Sequence, residues 1–370
     1  MSCPKCRLGD VCDITMGQAP EGASYNTNSD GLPLVAGAGD LGDLIPNPSK
    51  YTTAASKISR QGDIILCIRA TIGDTNWSDR AYCLGRGVAG LRAKSNVLDQ
   101  RFLWHFISAR RAELEARGTG TTFKQVSRLD IADWLIPTPT LSEQQRIAAI
   151  LDKADSVRRK RQEAIHLAHD FLRAVFIDMF GGLDIASNPT VRLADVVTLD
   201  APMVDPTHED FADLLHVGPD RIEKGNGQLM ECETARAEGL ISKKFLFDER
   251  YVLYSKIRPT LKKCALAEFR GLCSADMYPV RPSRDDMTRE FIWGLLLSDV
   301  FDRYVSTLAD RANIPKLNRA ELNAFEFRLP PVELQRKYSA IVRRTMKMKR
   351  RHNTFLQQAN SLPAALGFFD

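Results

Sequence analysis

Long apolar runs are missing from this sequence. No stretch approaches the roughly 18 residues of a membrane-spanning helix, and the amino terminus has no apolar signal segment. The eight cysteines are scattered and several lie within apolar runs, which indicates buried thiols in a reducing cytoplasm. Cys3 and Cys6 have the spacing of half a zinc site, but no second pair follows. We therefore expect a cytoplasmic protein with no membrane contact and no metal site.

Sequence signatures of catalysis are also missing. The sequence has no phosphate-binding Gly-x4-Gly-Lys-Ser/Thr motif, no Asn-Pro-Pro-aromatic tetrapeptide, no His-Glu-x-x-His and no Gly-x-Ser-x-Gly. The six histidines are dispersed, and no acidic cluster has nuclease spacing. These absences predict no catalytic residue and no cofactor, hence a chain that binds. The net charge of +5 allows a nucleic-acid partner without requiring one.

What the sequence does contain is an internal duplication at a distance of about 190 residues. Arg7-Leu8-Gly9-Asp10-Val11 returns as Arg192-Leu193-Ala194-Asp195-Val196, and the apolar run ending at Arg69 returns as the run ending at Arg258. Phe102-Leu103-Trp104 returns as Phe291-Ile292-Trp293. A period this long indicates a duplicated domain. Two copies of one recognition surface suggest a target that itself has two halves.

A long helix is predicted after each globular segment. Ser142 and Gln145 have the spacing of a capping box, and no Gly or Pro follows before Phe180. Apolar residues recur there in steps of three and four, and the second copy repeats every seventh residue from Ile341 to Phe369, although Pro363 is expected to kink that helix. A helix of about 38 residues cannot bury its apolar stripe in one small domain, so we expect the two helices to pack together.

These observations predict an α+β protein with two pseudo-repeated mixed α/β domains, each followed by a long α-helix. The expected segments are 1–138 and 182–330 for the domains, and 139–181 and 331–370 for the helices. Ile64 to Ile68 is predicted as a buried strand, and Asp99 to Glu115 as a helix capped by Asp99.

Polar loops at equivalent places of the two repeats are the candidate binding elements. Both carry the cations, amides and hydroxyls that bond phosphate oxygens and base edges, and their sequences differ. The candidate DNA-binding residues are Arg69, Thr119, Thr121, Thr122, Lys124, Gln125, Arg128, Arg258, Lys262, Lys263, Arg311, Asn313, Lys316, Asn318 and Arg319. Ordinary solvated loops, a structural ion pair at Arg69 or Arg258, and a plain exposed pair at Lys262 and Lys263 are the alternatives.

The run Leu141-Ser142-Glu143-Gln144-Gln145-Arg146-Ile147-Ala148-Ala149-Ile150-Leu151, continuing to Phe180-Gly181, closely resembles the conserved helix of type I restriction-modification specificity subunits. Gly62-Asp63-Ile64-Ile65-Leu66 and Gly120-Thr121-Thr122-Phe123-Lys124 look like parts of their target recognition domains. The resemblance extends over the chain in the order domain, helix, domain, helix.

The resemblance implies a non-catalytic DNA specificity subunit. Each recognition domain would read one half of a bipartite site in double-stranded DNA, and the helices would run antiparallel as a coiled-coil spacer. They would also dock two methyltransferase subunits, which carry the S-adenosylmethionine chemistry, and a restriction/translocase subunit would join them. The expected partner-binding residues on the helices are Gln145, Arg146, Leu151, Arg158, Arg161, Ile165, Leu172, Phe176, Gln335, Arg336, Ile341, Met348, Phe355 and Leu362.

Two other functions fit the same residues. The chain is a coiled-coil scaffold if its globular units bind proteins, or a DNA-targeting subunit of another phage-defence complex. An enzyme acting alone fits least, because no catalytic motif is present.

Overall fold

A computed structural model describes residues 4–120, 124–181, 188–308, 316–360 and 369, with backbone alone for 351–360. The chain divides into two compact units, Met1–Lys160 with Phe355–Asp370, and Arg161–Thr354. Within these described ranges, no helix is long and apolar enough to cross a membrane.

The first unit opens with ten short strands and four short helices. Its strands are β1 (Lys5–Arg7), β2 (Cys12–Met16), β3 (Tyr25–Asn26), β4 (Leu32–Val35), β5 (Tyr51–Thr52), β6 (Ile64–Cys67), β7 (Thr75–Trp77), β8 (Cys83–Leu84), β9 (Val88–Ala93) and β10 (Leu135–Pro137). Its helices are α1 (Leu8–Val11), α2 (Gln100–Ala109), α3 (Arg111–Ala116), α4 (Arg128–Ala132) and the first half of α5 (Leu141–Phe180).

The predicted buried strand is β6, at the centre of the main sheet. This antiparallel sheet has the order β2-β9-β6-β7, and all four residues of β6 are buried because both of its faces are covered. Helix α2 packs Phe102 and Phe106 onto this sheet, and Asp99 caps it by accepting from the N–H groups of Arg101 and Phe102. The single helix predicted to reach Glu115 is instead two helices, which meet at Arg110.

The second unit repeats this architecture. Its strands are β11 (Thr190–Arg192), β12 (Val197–Thr198), β13 (Met203–Val204), β14 (His216–Val217), β15 (Lys244–Phe247), β16 (Val252–Ser255), β17 (Cys264–Leu266), β18 (Gly271–Cys273), β19 (Met277–Pro282) and β20 (Glu326–Arg328). Its helices are α6 (Leu193–Val196), α7 (Glu209–Ala212), α8 (Arg289–Leu297), α9 (Asp299–Leu308), α10 (Arg319–Asn323), most of α11 (Val332–Asn360) and the second half of α5.

Corresponding strands form the main sheet of each unit, whereas the smaller sheets differ. The order β12-β19-β16-β17 matches β2-β9-β6-β7 strand for strand. In the smaller sheets, β5 pairs with β3 and β4, whereas β15 pairs with β13 and β18. The duplication therefore keeps the main sheet and rearranges the smaller one. The predicted α+β fold of two pseudo-repeated units is confirmed.

The two long helices pack antiparallel within the second unit. The ring of Phe176 on α5 lies 5.4 Å from that of Tyr338 near the start of α11, and His169, two turns earlier on α5, contacts Lys349, three turns later on α11. Leu172 and Phe180 join the same core. The predicted pairing of the helices is therefore present here. Pro363 lies outside the described residues.

Two details of the helix predictions are wrong. Helix α5 begins at Leu141, and Thr140 Oγ1 accepts from the N–H of Glu143, so the capping residue is not Ser142. On α11 the apolar register is off by one, because Val342 is buried whereas Met348 is 54% exposed. Leu362 lies outside the described residues, as does the side chain of Phe355.

Candidate nucleic-acid interface

In the first unit a sharp corner after β6 meets the polar loop predicted to bind DNA. The corner turns at Ala70, whose φ of +60° lies in the left-handed region that few non-glycine residues adopt. Val126 donates to the carbonyl of Ile68 across 3.0 Å, which fastens the loop to the strand end. Thr119 and Gln125 exchange backbone hydrogen bonds of 3.0 and 2.9 Å and so close the loop at its base. Thr121 and Thr122 lie outside the described residues.

Arg69 and Gln125 also join through their side chains. The guanidinium Nε donates to Gln125 Oε1 across 2.7 Å, and Nη2 donates to the same oxygen. The predicted residues Arg69, Thr119 and Gln125 are therefore brought together, although they are far apart in sequence. The bond is to an amide and not to a carboxylate, so Arg69 forms no ion pair with any residue that the structure describes.

Unpaired cations flank this corner. Lys124 directly precedes Gln125, and Arg128 is the first residue of α4, after the Ser127 cap. Both side chains are exposed and bond to no described residue. Arg86, which the sequence did not single out, is exposed beside Arg69 in an open groove of about 340 Å³. Its only sequence signal is a lone arginine between two glycines, which is too weak to detect.

The equivalent corner of the second unit holds different side chains. Leu317 donates to the carbonyl of Lys256 across 2.9 Å, in the place of the bond between Val126 and Ile68. Ile257 therefore occupies the position of Arg69, and Lys316, its backbone bridge partner, that of Gln125. The sequence pairing of Arg69 with Arg258 is off by one residue.

Arg258 instead occupies the left-handed position of Ala70, with a φ of +47°. Its side chain is exposed and bonds to no described residue, and the same is true of Lys316. These two cations therefore remain available to a ligand. Arg311 and Asn313, from the loop that precedes Lys316, lie outside the described residues.

Two predicted DNA-binding lysines of the second unit, Lys262 and Lys263, bond to other groups of the chain. Lys262 Nζ lies 3.1 Å from Asp299 and 3.1 Å from Asp302, and with Arg173 it holds the pKa of the Asp299 carboxyl below its usual value. Lys263 donates to the carbonyl of Pro219 across 2.7 Å. These contacts favour a structural role for both lysines.

Arg319 and Asn318 also bond within the chain. Arg319 bonds Asp200 across 2.9 Å, at the start of α10. The side chain of Asn318 accepts from the N–H of Glu321 across 2.9 Å, so it caps the same helix. Arg128, which occupies the position of Arg319 in the first unit, has no such ion pair.

Half of the predicted partner-binding residues whose side chains the structure describes face the chain's own core. Leu151 packs into the core of the first unit, and Leu172 and Phe176 into that of the second. The buried residues of this set are Leu151, Ile165, Leu172, Phe176 and Gln335, and Ile341 is half-buried. The apolar members of this set pack within the chain, as expected for the buried stripe of an amphipathic helix.

The rest of that set lies on the helix surface or at its margin. Gln145 is exposed, and Arg146 and Arg336 are exposed and bond Glu143 and Glu333 one turn earlier. Arg158 and Arg161 are half-buried. A separate outward stripe of α5 carries two apolar side chains that the prediction missed: Leu167 is 59% exposed and Phe171 51%. Ile177, which is 50% exposed, lies on a neighbouring face of the helix.

Comparison with known proteins identifies the first half of the chain. Residues 4–167 match the family model of the type I restriction modification DNA specificity domain. A putative type I restriction enzyme MjaX specificity subunit of Methanocaldococcus jannaschii is 35% identical over 158 residues, which are 42% of this chain and 37% of that protein. The match thus spans little more than a third of that relative.

A second relative extends the similarity along the chain. The type I restriction enzyme EcoDI specificity subunit of Escherichia coli is 23% identical over 390 residues, covering 96% of this chain and 83% of that protein. The chain is therefore similar to type I specificity subunits along nearly its whole length. The family resemblance read from the sequence is confirmed.

Solved structures of the same fold cover the whole chain. The type I restriction-modification S subunit from M. genitalium superimposes with a TM-score of 0.63 at 14% identity, covering 99% of this chain and 95% of that one. A chain from a structure of complex assembly and conformational transition of the type I restriction-modification system gives a TM-score of 0.51 at 19% identity, covering 99% and 97%. At these identities, the likeness concerns the fold alone.

Proposed function

We propose that this chain is the DNA-sequence specificity subunit of a type I restriction-modification complex and performs no catalysis itself. The domain of residues 1–138 reads one half of a bipartite site in double-stranded DNA, and that of 182–330 reads the other. The helical segments 139–181 and 331–370 set the spacing of the halves and dock two methyltransferase subunits, with a restriction subunit joining that core.

The single observation that carries this proposal is the duplicated corner with unlike side chains. The same backbone fastening presents Arg69 with Gln125 in one unit and Ile257 with Lys316 in the other. A backbone arrangement that both repeats share, but with different side chains, suits a target whose two halves differ in sequence, because base edges are distinguished by their donors and acceptors. The uncommitted cations Lys124, Arg128 and Arg258 suit contacts with phosphates.

The outward stripe of α5 is the surface proposed for a methyltransferase subunit. Leu167 and Phe171 are apolar, more than half exposed, and one turn apart on the same face of the helix, whereas Ile177 lies about 120° around the helix from Phe171. A contiguous exposed apolar patch that is rimmed by polar residues is typical of a protein–protein interaction site. This stripe replaces the buried residues in the docking role.

Single-molecule methylome sequencing tests the function. A host would carry this chain with the methyltransferase gene that adjoins its own, and a matched host would carry the same genes with residues 1–370 deleted. We expect a gapped bipartite methylation motif that is absent after the deletion. An unchanged methylome would overturn the proposal in favour of a scaffold.

A further inference from the structure

We propose that the side-chain pair Arg69–Gln125 reads a guanine in the half-site of the first unit. This inference rests on the proposed function and adds to it the identity of one recognised base. It is argued from the hydrogen-bond donors and acceptors that remain free once the two side chains have bonded to each other.

The pair presents only donors to a ligand. An arginine has five N–H groups and no acceptor, so the oxygen of Gln125 and not its nitrogen faces the guanidinium. Both observed bonds, from Nε and Nη2, end on Oε1, which occupies the two lone pairs of that oxygen. Three guanidinium N–H groups and the two of the Gln125 amide remain, and no acceptor does.

A surface of donors alone selects for acceptors. In the major groove guanine offers two adjacent acceptors, N7 and O6, whereas adenine and cytosine each present an amino donor there. Thymine offers one acceptor next to a methyl group. Guanine is the only base edge that satisfies two adjacent donors and places no donor or methyl group against them.

The backbone holds the pair in place before any ligand binds. Gln125 is tied to Thr119 by two main-chain hydrogen bonds, and the next residue, Val126, is tied to Ile68. Arg69 is half-buried and lies next to the left-handed corner at Ala70. Because little side-chain freedom remains to be lost, the pair is suited to discriminate between bases.

Phosphate is the other ligand that accepts from donors alone, and the second unit argues against it. Phosphates run along every DNA sequence, so a phosphate contact would be useful to both repeats. The equivalent positions hold Ile257 and Lys316, which do not form a guanidinium–amide pair. The exposed Lys124 and Arg128 supply cations for phosphate next to the pair.

The test uses the full chain assembled with its methyltransferase, on DNA carrying the motif found by methylome sequencing. The half-site of the first unit is identified by exchanging residues 1–138 for another recognition domain. One guanine of that half-site is then replaced in turn by each other base and by 7-deazaguanine, which lacks the N7 acceptor. Affinity is measured by fluorescence anisotropy for wild type, Arg69→Ala, Arg69→Lys and Gln125→Ala.

We expect wild type to lose about 5- to 150-fold in affinity on replacement of the guanine, the range of one bidentate base contact. The 7-deaza substitution is expected to weaken wild type in the same direction and to leave Arg69→Ala unaffected. Arg69→Lys is expected to lose the discrimination between bases as Arg69→Ala does, because an ammonium cannot form the planar fork of a guanidinium. Gln125→Ala is expected to reduce discrimination while affinity for unrelated DNA stays the same.

Controls separate the possible failures. Arg7→Ala removes another exposed arginine of the first unit, paired with Asp133 across 3.5 Å, and is expected to change nothing. A first half-site without guanine, or guanine preference that survives Arg69→Ala, overturns this inference alone. If Arg69→Ala lowers the affinity equally for all sequences and Arg69→Lys restores it, the contact is with phosphate and the inference is overturned. A wild-type complex that binds every sequence equally overturns the proposed function.

Discussion

Gln144 and Gln335 make the same three hydrogen bonds at the start of the two long helices. Both side chains are fully buried. Gln144 Oε1 accepts from the N–H of Asp99 across 2.8 Å, and its Nε2 donates to the carbonyls of Val97 and Pro139 across 3.0 and 2.8 Å. The amide therefore joins the long helix to the N-terminus of α2, whose cap is Asp99.

Gln335 repeats each of these contacts in the second unit. Its Oε1 accepts from the N–H of Thr288, the cap of α8, across 3.0 Å. Its Nε2 donates to the carbonyls of Asp286 and Pro330, each across 2.9 Å. One glutamine in each repeat thus fixes the angle at which the helix leaves its domain.

Replacing Gln144 with leucine is expected to destabilise the chain strongly. The substitution keeps the volume but leaves one N–H and two carbonyls buried without partners, each at a cost of about 1–3 kcal/mol. We therefore expect the free energy of unfolding to fall by roughly 3 kcal/mol or more, measured by urea denaturation. Gln145→Leu at the exposed next position is the matched control, with an expected change within about 0.5 kcal/mol. Equal effects of the two variants would contradict the assignment.

The pair Gln144 and Gln145 also illustrates what the sequence determines. The long helix follows from uninterrupted helix-forming residues, and its bounds of Leu141 and Phe180 are close to the prediction. Which of the two adjacent glutamines is buried depends on how the helix is rotated about its axis against its domain. The contacts with Val97 and Asp99 set this rotation. For the same reason the predicted buried face of α11 was off by one residue, since a seven-residue period fits several neighbouring faces of a helix.

The candidate site was predictable only in its location. Polar loops at equivalent repeat positions predicted where the candidate site lies, because they interrupt the apolar segments of each repeat at the same points. The bond between Arg69 and Gln125 joins residues 56 positions apart, and no local pattern records it. The ion pairs of Lys262 were unpredictable for the same reason, since its carboxylate partners lie on α9, later in the sequence.

Arg258 and Lys262 are expected to affect DNA binding differently. Arg258 is exposed and bonds to no described residue, whereas Lys262 is 20% exposed between two carboxylates. Arg258→Ala should weaken binding for all sequences and reduce the slope of log affinity against log salt by about 1, the value for one lost phosphate contact. Lys262→Met should leave this slope unchanged. The measurement is a salt titration of the assembled complex, and circular dichroism checks that both variants are folded.

A buried basic pair joins the two long helices in the second unit. His169 Nε2 contacts Lys349 Nζ and lies 3.2 Å from Gln228 Oε1. Burial, followed by the charge of Lys349, lowers the pKa of His169 to about 4, although Gln228 and Glu223 act in the opposite direction. Burial also lowers the pKa of Lys349 to about 8, against the attraction of Glu223. Two basic groups are therefore held where their charged forms are disfavoured.

The stability of the chain is expected to fall as pH decreases from 6.5 to 4. In this range the unfolded chain protonates a histidine of ordinary pKa 6.5, whereas the folded chain keeps His169 neutral down to about 4. The unfolded state then binds more protons, so acidification favours unfolding. His169→Gln should reduce this dependence, measured as Tm against pH for both proteins. Parallel curves for wild type and variant would rule out the contribution.

A charge on the outward stripe of α5 is expected to disrupt assembly without disrupting the fold. Phe171 is 51% exposed and packs into neither core cluster of its unit, so Phe171→Asp loses little buried area within the chain. In an apolar interface the same carboxylate would be desolvated without a partner, at a cost of several kcal/mol. We expect at least a 10-fold loss of methyltransferase binding in isothermal titration calorimetry. Glu163→Ala, two turns earlier and exposed, is the control expected to bind normally. Full binding by Phe171→Asp would assign the methyltransferase contact to another face of the helix.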